Sequence, residues 1–178
     1  FSLHAGAITD RIGYFRVTQT DYGRDEHRAQ ERSYITRWRL EKKNANAEVS
    51  EPVQPIVYWV DPATPEKWIP YVKQGIEDWQ PAFEAAGSSN AIVPRDAPSP
   101  QEDPDWDPED ARYNFFRWNA SNQGYAIGPS RTNPETGEIL DADVVWHQGL
   151  TRSVRGMLEN LSDDLVAQTF SPDTLAWF

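Results

Sequence analysis

Pro55-Ile56-Val57-Tyr58-Trp59-Val60-Asp61-Pro62 is an unbroken apolar run fenced by prolines. Strict alternation would mark a strand with one wet face, whereas continuity from Ile56 to Val60 marks one covered on both faces, as inside a parallel sheet. Thr64-Pro65-Glu66 follows with the make-up of a helix start: a hydroxyl at the N-cap, proline at the first helical position and an acid in the first turn. Apolar residues then recur at Trp68, Tyr71, Val72, Ile76, Trp79 and Phe83, three or four apart, which places them on one helical face. Pro70 and Pro81 are expected to kink or split that helix, and Gly87 to close it. Ala91-Ile92-Val93 supplies a second short strand, so residues 55–93 read β-α-β.

Downstream, the stretch from Arg95 to Asp110, rich in proline and aspartate, reads as a surface loop. Tyr113-Asn114-Phe115-Phe116-Arg117-Trp118 and Tyr125-Ala126-Ile127-Gly128 read as strands. The turn signal Asn133-Pro134-Glu135-Thr136-Gly137 leads into one further strand from Glu138 to Trp146. Residues 147–178 look helical, with Leu150, Val154, Met157, Leu158, Leu161, Leu165 and Val166 at helical steps and a break at Ser171-Pro172-Asp173. Upstream, residues 13–20 and 34–40 carry the β-branched and aromatic residues of two strands. The charged stretch from Asp21 to Arg32 reads as an exposed connection or short helix, and the polar run from Glu41 to Glu48 as a linker. The fold class expected is α+β: a twisted mixed β-sheet with a long kinked helix packed on it, preceded by a β-hairpin region.

Eight Trp, seven Tyr and seven Phe among 178 residues give a core large rings to bury, which argues against intrinsic disorder. With 17 Lys and Arg against 28 Asp and Glu, the net charge is −11. That balance opposes the counterion displacement on which nucleic-acid binding depends, so no nucleic-acid partner is expected. No apolar run approaches the length of a membrane span, and Phe1-Ser2-Leu3-His4-Ala5-Gly6 lacks the basic and apolar parts of a signal peptide. The absence of cysteine excludes disulfides, zinc–thiolate sites and cysteine nucleophiles. The missing initiator Met and the apolar end at Trp177-Phe178 lead to the expectation of a piece of something longer.

Candidate chemistry is sparse. His4, His27 and His147 are far apart, and none belongs to a short-spaced metal pair, so the residues alone predict no metal ligand. His147 is expected to end a strand, with His4 and His27 exposed. Asp103, Asp105, Asp107, Glu109 and Asp110 have the oxygen density of a calcium loop but lack its central glycine and terminal Glu, so a solvated loop is favoured over a calcium site. Asp141 and Asp143 share a strand face by period two, either as an acid/base or metal pair or, the favoured reading, as carboxylates that face solvent or are met by arginine, with Arg117 and Arg131 available. No nucleophile elbow, phosphate-binding loop or dinucleotide fingerprint occurs, so no catalytic residue is assigned. Asn119-Ala120-Ser121 and Asn160-Leu161-Ser162 match the glycosylation sequon, a triplet common by chance.

Several longer words, in order, resemble a family of large bacterial zinc-dependent metalloproteases of metzincin type. They are Tyr34-Ile35-Thr36-Arg37-Trp38-Arg39-Leu40, residues 50–58, Thr64-Pro65-Glu66-Lys67-Trp68, residues 75–87, Asp103-Pro104-Asp105-Trp106, residues 124–130 and residues 137–143. The resemblance implies export, hence a secreted or periplasmic location, and peptide or protein substrates. It divides the chain into the end of an upstream β-rich domain or extension (1–50) and the N-terminal catalytic subdomain (51–178). It also makes Tyr125 to Ser130 an edge strand over the cleft, with Gly124, Tyr125, Ala126, Ile127 and Gly128 binding substrate and Gly124 and Gly128 admitting its backbone closely.

The zinc-binding H-E-x-x-H segment of such proteases is absent. Zinc is therefore expected in the complete enzyme but not on this chain, which alone would be inactive, and the remainder of the catalytic domain or a partner chain would supply the ligands. The other readings are a peptide-binding pseudo-protease module and a structural subunit of a larger assembly.

Overall fold

The computed structural model describes residues 13–23, 27–99 and 101–160. The run that opens the argument becomes β3 (Ile56–Val60), hydrogen-bonded on both sides in a five-stranded sheet. Its neighbours are β4 (Ile92–Asp96) and β5 (Asn114–Asn119), both parallel to it. Beyond β5 lies β9 (Val144–His147), also parallel, and beyond β9 lies the short antiparallel β6 (Ala126–Ile127). The order β4-β3-β5-β9-β6 thus places an antiparallel strand at one edge of a parallel sheet. At the other edge, β4 carries Pro94, opposite Tyr58.

Between β3 and β4 the expected single helix is instead a 3₁₀ turn (Glu66–Trp68), α1 (Ile69–Glu77) and α2 (Gln80–Ala85). The prolines explain the division. Pro70 and Pro81 each sit in the first turn of a helix, where the missing N–H costs nothing, so they begin helices rather than kink one. Thr64 does not act as a cap; its buried Oγ1 has no hydrogen-bond partner, and Pro65 occupies the position before the 3₁₀ turn. Gly87 takes the left-handed φ of +89° that stops the helix.

The helical face read from the sequence does turn toward the sheet. Trp68, Tyr71, Val72, Ile76, Trp79 and Phe83 share an open apolar groove of about 590 Å³ with the sheet residues between α1 and β9. Within it Trp118 stacks against Trp68 and Trp146, with centroids 6.4 and 6.5 Å apart. No residue of α1 or α2 is fully buried. On the opposite sheet face the Pro/Asp loop is more than a solvated connection: Trp106 lays its ring edge-on to Phe115 at 5.3 Å, and Phe115 is 1% exposed.

The upstream hairpin is present as β1 (Arg16–Asp21) and β2 (Gln30–Ile35), antiparallel. β2 begins and ends earlier than the expected strand at 34–40, because neither ribbon face holds a buried residue to impose an apolar period. The chain then stitches itself onto the body: Arg37 accepts from Ile139 N at 2.9 Å and donates to Gly137 O at 3.0 Å. The run from Glu41 to Glu48 is a folded loop rather than a linker, since Val53 N donates to Glu41 O and Lys42 Nζ to Glu48 O.

The single strand expected from Glu138 to Trp146 divides at Asp143. Its first part, β8 (Ile139–Ala142), pairs with β7 (Ser130–Thr132) in a separate hairpin, and the second is β9. Gly137 ends the hairpin turn at φ +74°. α3 (Gln148–Glu159) follows β9 directly. Leu161, Leu165, Val166, the 171–178 segment and His4 lie outside the described residues.

Candidate substrate-binding edge

β6 is held to the sheet through Ala126 opposite Trp146 and Ile127 opposite Val145. Continuing that antiparallel register puts Tyr125 opposite His147, and their rings are in contact at 4.8 Å between centroids. His147 ends β9, as its sequence position suggested, and is 9% exposed. Its Nδ1 lies 2.8 Å from Ser121 Oγ. The 121–123 loop is in turn pressed onto the first turn of α3, where Gly149 N donates to Ser121 O at 2.9 Å. A Cβ at Gly149 would collide with the backbone of Asn122 and Gln123, so only glycine allows this approach. The Ser121–His147 contact spans 26 residues, and no spacing rule signals it.

The expected edge strand from Tyr125 to Ser130 is shorter than its sequence suggests. After Ile127 the chain leaves the sheet through Gly128 and Pro129, whose carbonyl accepts from Asp143 N at 2.9 Å, and Ser130 opens β7. Pro129 has no N–H with which to continue a ladder. The two glycines have different surroundings. A Cβ at Gly124 would meet Ser153 Oγ at 2.9 Å, so this glycine lets α3 approach, and one at Gly128 would have only ordinary contact with Asp143 O at 3.7 Å. The edge itself is accessible: Tyr125 is 48% and Ile127 50% exposed. Among the described residues β6 pairs with β9 alone.

Most of the acidic candidates have internal partners. Asp141 is 2% exposed and receives both Arg131 Nε at 2.7 Å and a second guanidinium nitrogen at 2.6 Å. Asp143 Oδ1 accepts from Phe115 N at 2.9 Å, and its other oxygen is 3.5 Å from Arg117 Nε. The two therefore meet arginines, as one of the sequence readings had it. Asp103 and Asp107 accept from the backbone two residues on, Glu109 pairs with Arg117, and Asp110 pairs with Arg112. The Arg112 partnership holds the Asp110 carboxyl below its usual range. Tyr58 is pushed up to about 12, first by burial and then by the negative charges of Asp143 and Asp141. His27 is exposed. Among the described residues no three of His, Asp and Glu converge to hold a metal ion, so they do not supply the ligand set of a catalytic zinc. No helix among them is long and apolar enough to cross a membrane.

A family profile described as a domain of unknown function (DUF5117) matches residues 7–43, which include the β1–β2 ribbon. No curated protein and no solved structure matches the chain.

Proposed function

We propose that this chain is the sheet-bearing, peptide-binding part of a secreted or periplasmic zinc metallopeptidase of metzincin type. Residues 1–50 would close an upstream domain, and the zinc ligands would come from outside residues 1–178 or from a partner chain. The observation that carries this reading is the antiparallel β6 at the edge of an otherwise parallel sheet, with its outer side unpaired among the described residues. Such an edge offers N–H and C=O groups to an extended peptide, which adds as one more strand. No catalytic step is assigned to any residue here, because the described residues do not fit zinc. The chain alone binds peptide without cutting it.

The test is a pair of proline variants in the full 178-residue chain, Ala126→Pro and Ile127→Pro, titrated with an extended peptide and followed by amide NMR shifts. In an antiparallel ladder one of two successive residues faces the partner strand and the next faces outward. One variant is therefore expected to loosen the β6–β9 pairing, and the other to abolish peptide binding with the melting temperature kept. Full binding by both variants would overturn the proposal. Hydrolysis once the zinc ligands are supplied from outside residues 1–178, lost on chelation, separates the peptidase from a non-catalytic peptide-binding module.

A further inference from the structure

We infer that the peptide taken by β6 is selected by its side chains, and that it carries uncharged aromatic or β-branched residues at two positions two apart. This rests on the edge-strand reading above and adds to it the chemical class of the segment bound.

The inference comes from what surrounds the open edge. Tyr125 and Ile127 are two residues apart in extended chain, so they stand on the same side of the sheet, about 7 Å from one another. Both are half exposed, while His147 behind Tyr125 is nearly covered. The imidazole is held by Ser121 Oγ, and the tyrosine ring leans on it at an interplanar angle of 58°. The aromatic surface is thus set in place before any peptide arrives. A strand laid along the free side of β6 would bring its own alternate side chains about 5 Å from Tyr125 and Ile127, the distance at which cross-strand pairs act. Aromatic–aromatic and aromatic–β-branched pairs are the favourable ones at that separation.

Charge points the same way. From Trp118 to Pro129 the sequence has no acidic or basic residue, although a quarter of the chain is charged. The two nearest flanking arginines in sequence are engaged elsewhere, Arg117 with Glu109 and Arg131 with Asp141. Edge strands that must avoid pairing usually carry a charge or a proline within them. β6 has neither, and Gly124 and Pro129 bracket it closely. A charged residue opposite Tyr125 or Ile127 would find no countercharge in residues 118–129.

The test uses the full 178-residue chain and three capped pentapeptides: Ser-Tyr-Ser-Val-Ser, Ser-Lys-Ser-Lys-Ser and Ser-Glu-Ser-Glu-Ser. Dissociation constants come from amide shifts at residues 125–127. The Tyr/Val peptide is expected to bind about ten-fold tighter than either charged one, from a few-fold gain at each of two cross-strand positions. In the Tyr125→Ser, Ile127→Ser double variant, which alters two half-exposed side chains, the preference is expected to vanish while weak binding at the same amides persists. Equal affinity for the three peptides, or a preference that survives in the double variant, overturns the inference and leaves the edge-strand reading standing. No shift at residues 125–127 with any peptide removes both.

Discussion

Arg131 grips Asp141 with two nitrogens, at 2.7 and 2.6 Å, across the β7–β8 hairpin, and the carboxylate it grips is almost wholly out of water. An arginine that is itself largely exposed is the charge partner of a buried acid. Removing it leaves that acid uncompensated, a larger loss than the pair's own attraction. Arg131→Ala is expected to lower the melting temperature clearly, and Arg131→Lys, which cannot make the two-pronged contact, to restore only part of it. Thermal melts of the two variants at one pH check this.

Tyr58 gives the fold an alkaline limit. Its pKa in the folded chain is raised to about 12 from 10, so folding favours the neutral phenol. The associated stability is fully present below pH 10 and is lost as the pH rises from 10 through 12. A shift of that size corresponds to at most about 3 kcal/mol. Urea unfolding of the parent and of Tyr58→Phe at pH 8 and pH 11 should show the parent losing more stability between the two. Equal losses would mean that the phenol is not held neutral by the fold.

Two glycines are expected to respond oppositely to alanine. At Gly137, φ is +74° and a Cβ would run into the Ile35 carbonyl, so Gly137→Ala combines a strained backbone with a collision. The strain alone is worth about 1–3 kcal/mol. Gly75, inside α1, has nothing within 4 Å of its missing Cβ. Gly75→Ala is expected to stabilise the chain by about 0.5–1 kcal/mol through helix propensity. Chemical denaturation of the two variants gives both signs in one experiment.

The parts of this fold legible in the sequence are those where burial forces a pattern. β3 could be read because it lies between two strands, with no exposed residue and no charged one from Ile56 to Val60. The stripe from Trp68 to Phe83 could be read because it faces the sheet. Its division at Asp78 and Trp79 was less legible, since proline within a periodic run looks the same whether it bends one helix or starts the next. β2 starts with Gln30-Glu31-Arg32 in an exposed ribbon, where no apolar period exists to be found. The break at Asp143 depends on a carboxylate reaching Phe115 N, a bond made 28 residues away along the chain. The packing of Trp106 on Phe115 was not legible either, because a lone ring among prolines and acids sets no period. For the candidate site, the position of β6 followed from resemblance, whereas its brevity and the Ser121–His147 support under Tyr125 emerge only from the folded arrangement.

The two ends of the five-stranded sheet are chemically unlike. On the β4 side stand Pro94, which has no N–H to give, and the charged Arg95 and Asp96; on the β6 side stand Ala126 and Ile127. In the language of polymers, one terminus is capped and the other is live. If two copies of this chain ever met live end to live end, both remaining termini would be capped ones. Strand-by-strand growth of this sheet would then stop at a pair instead of running on into a fibre.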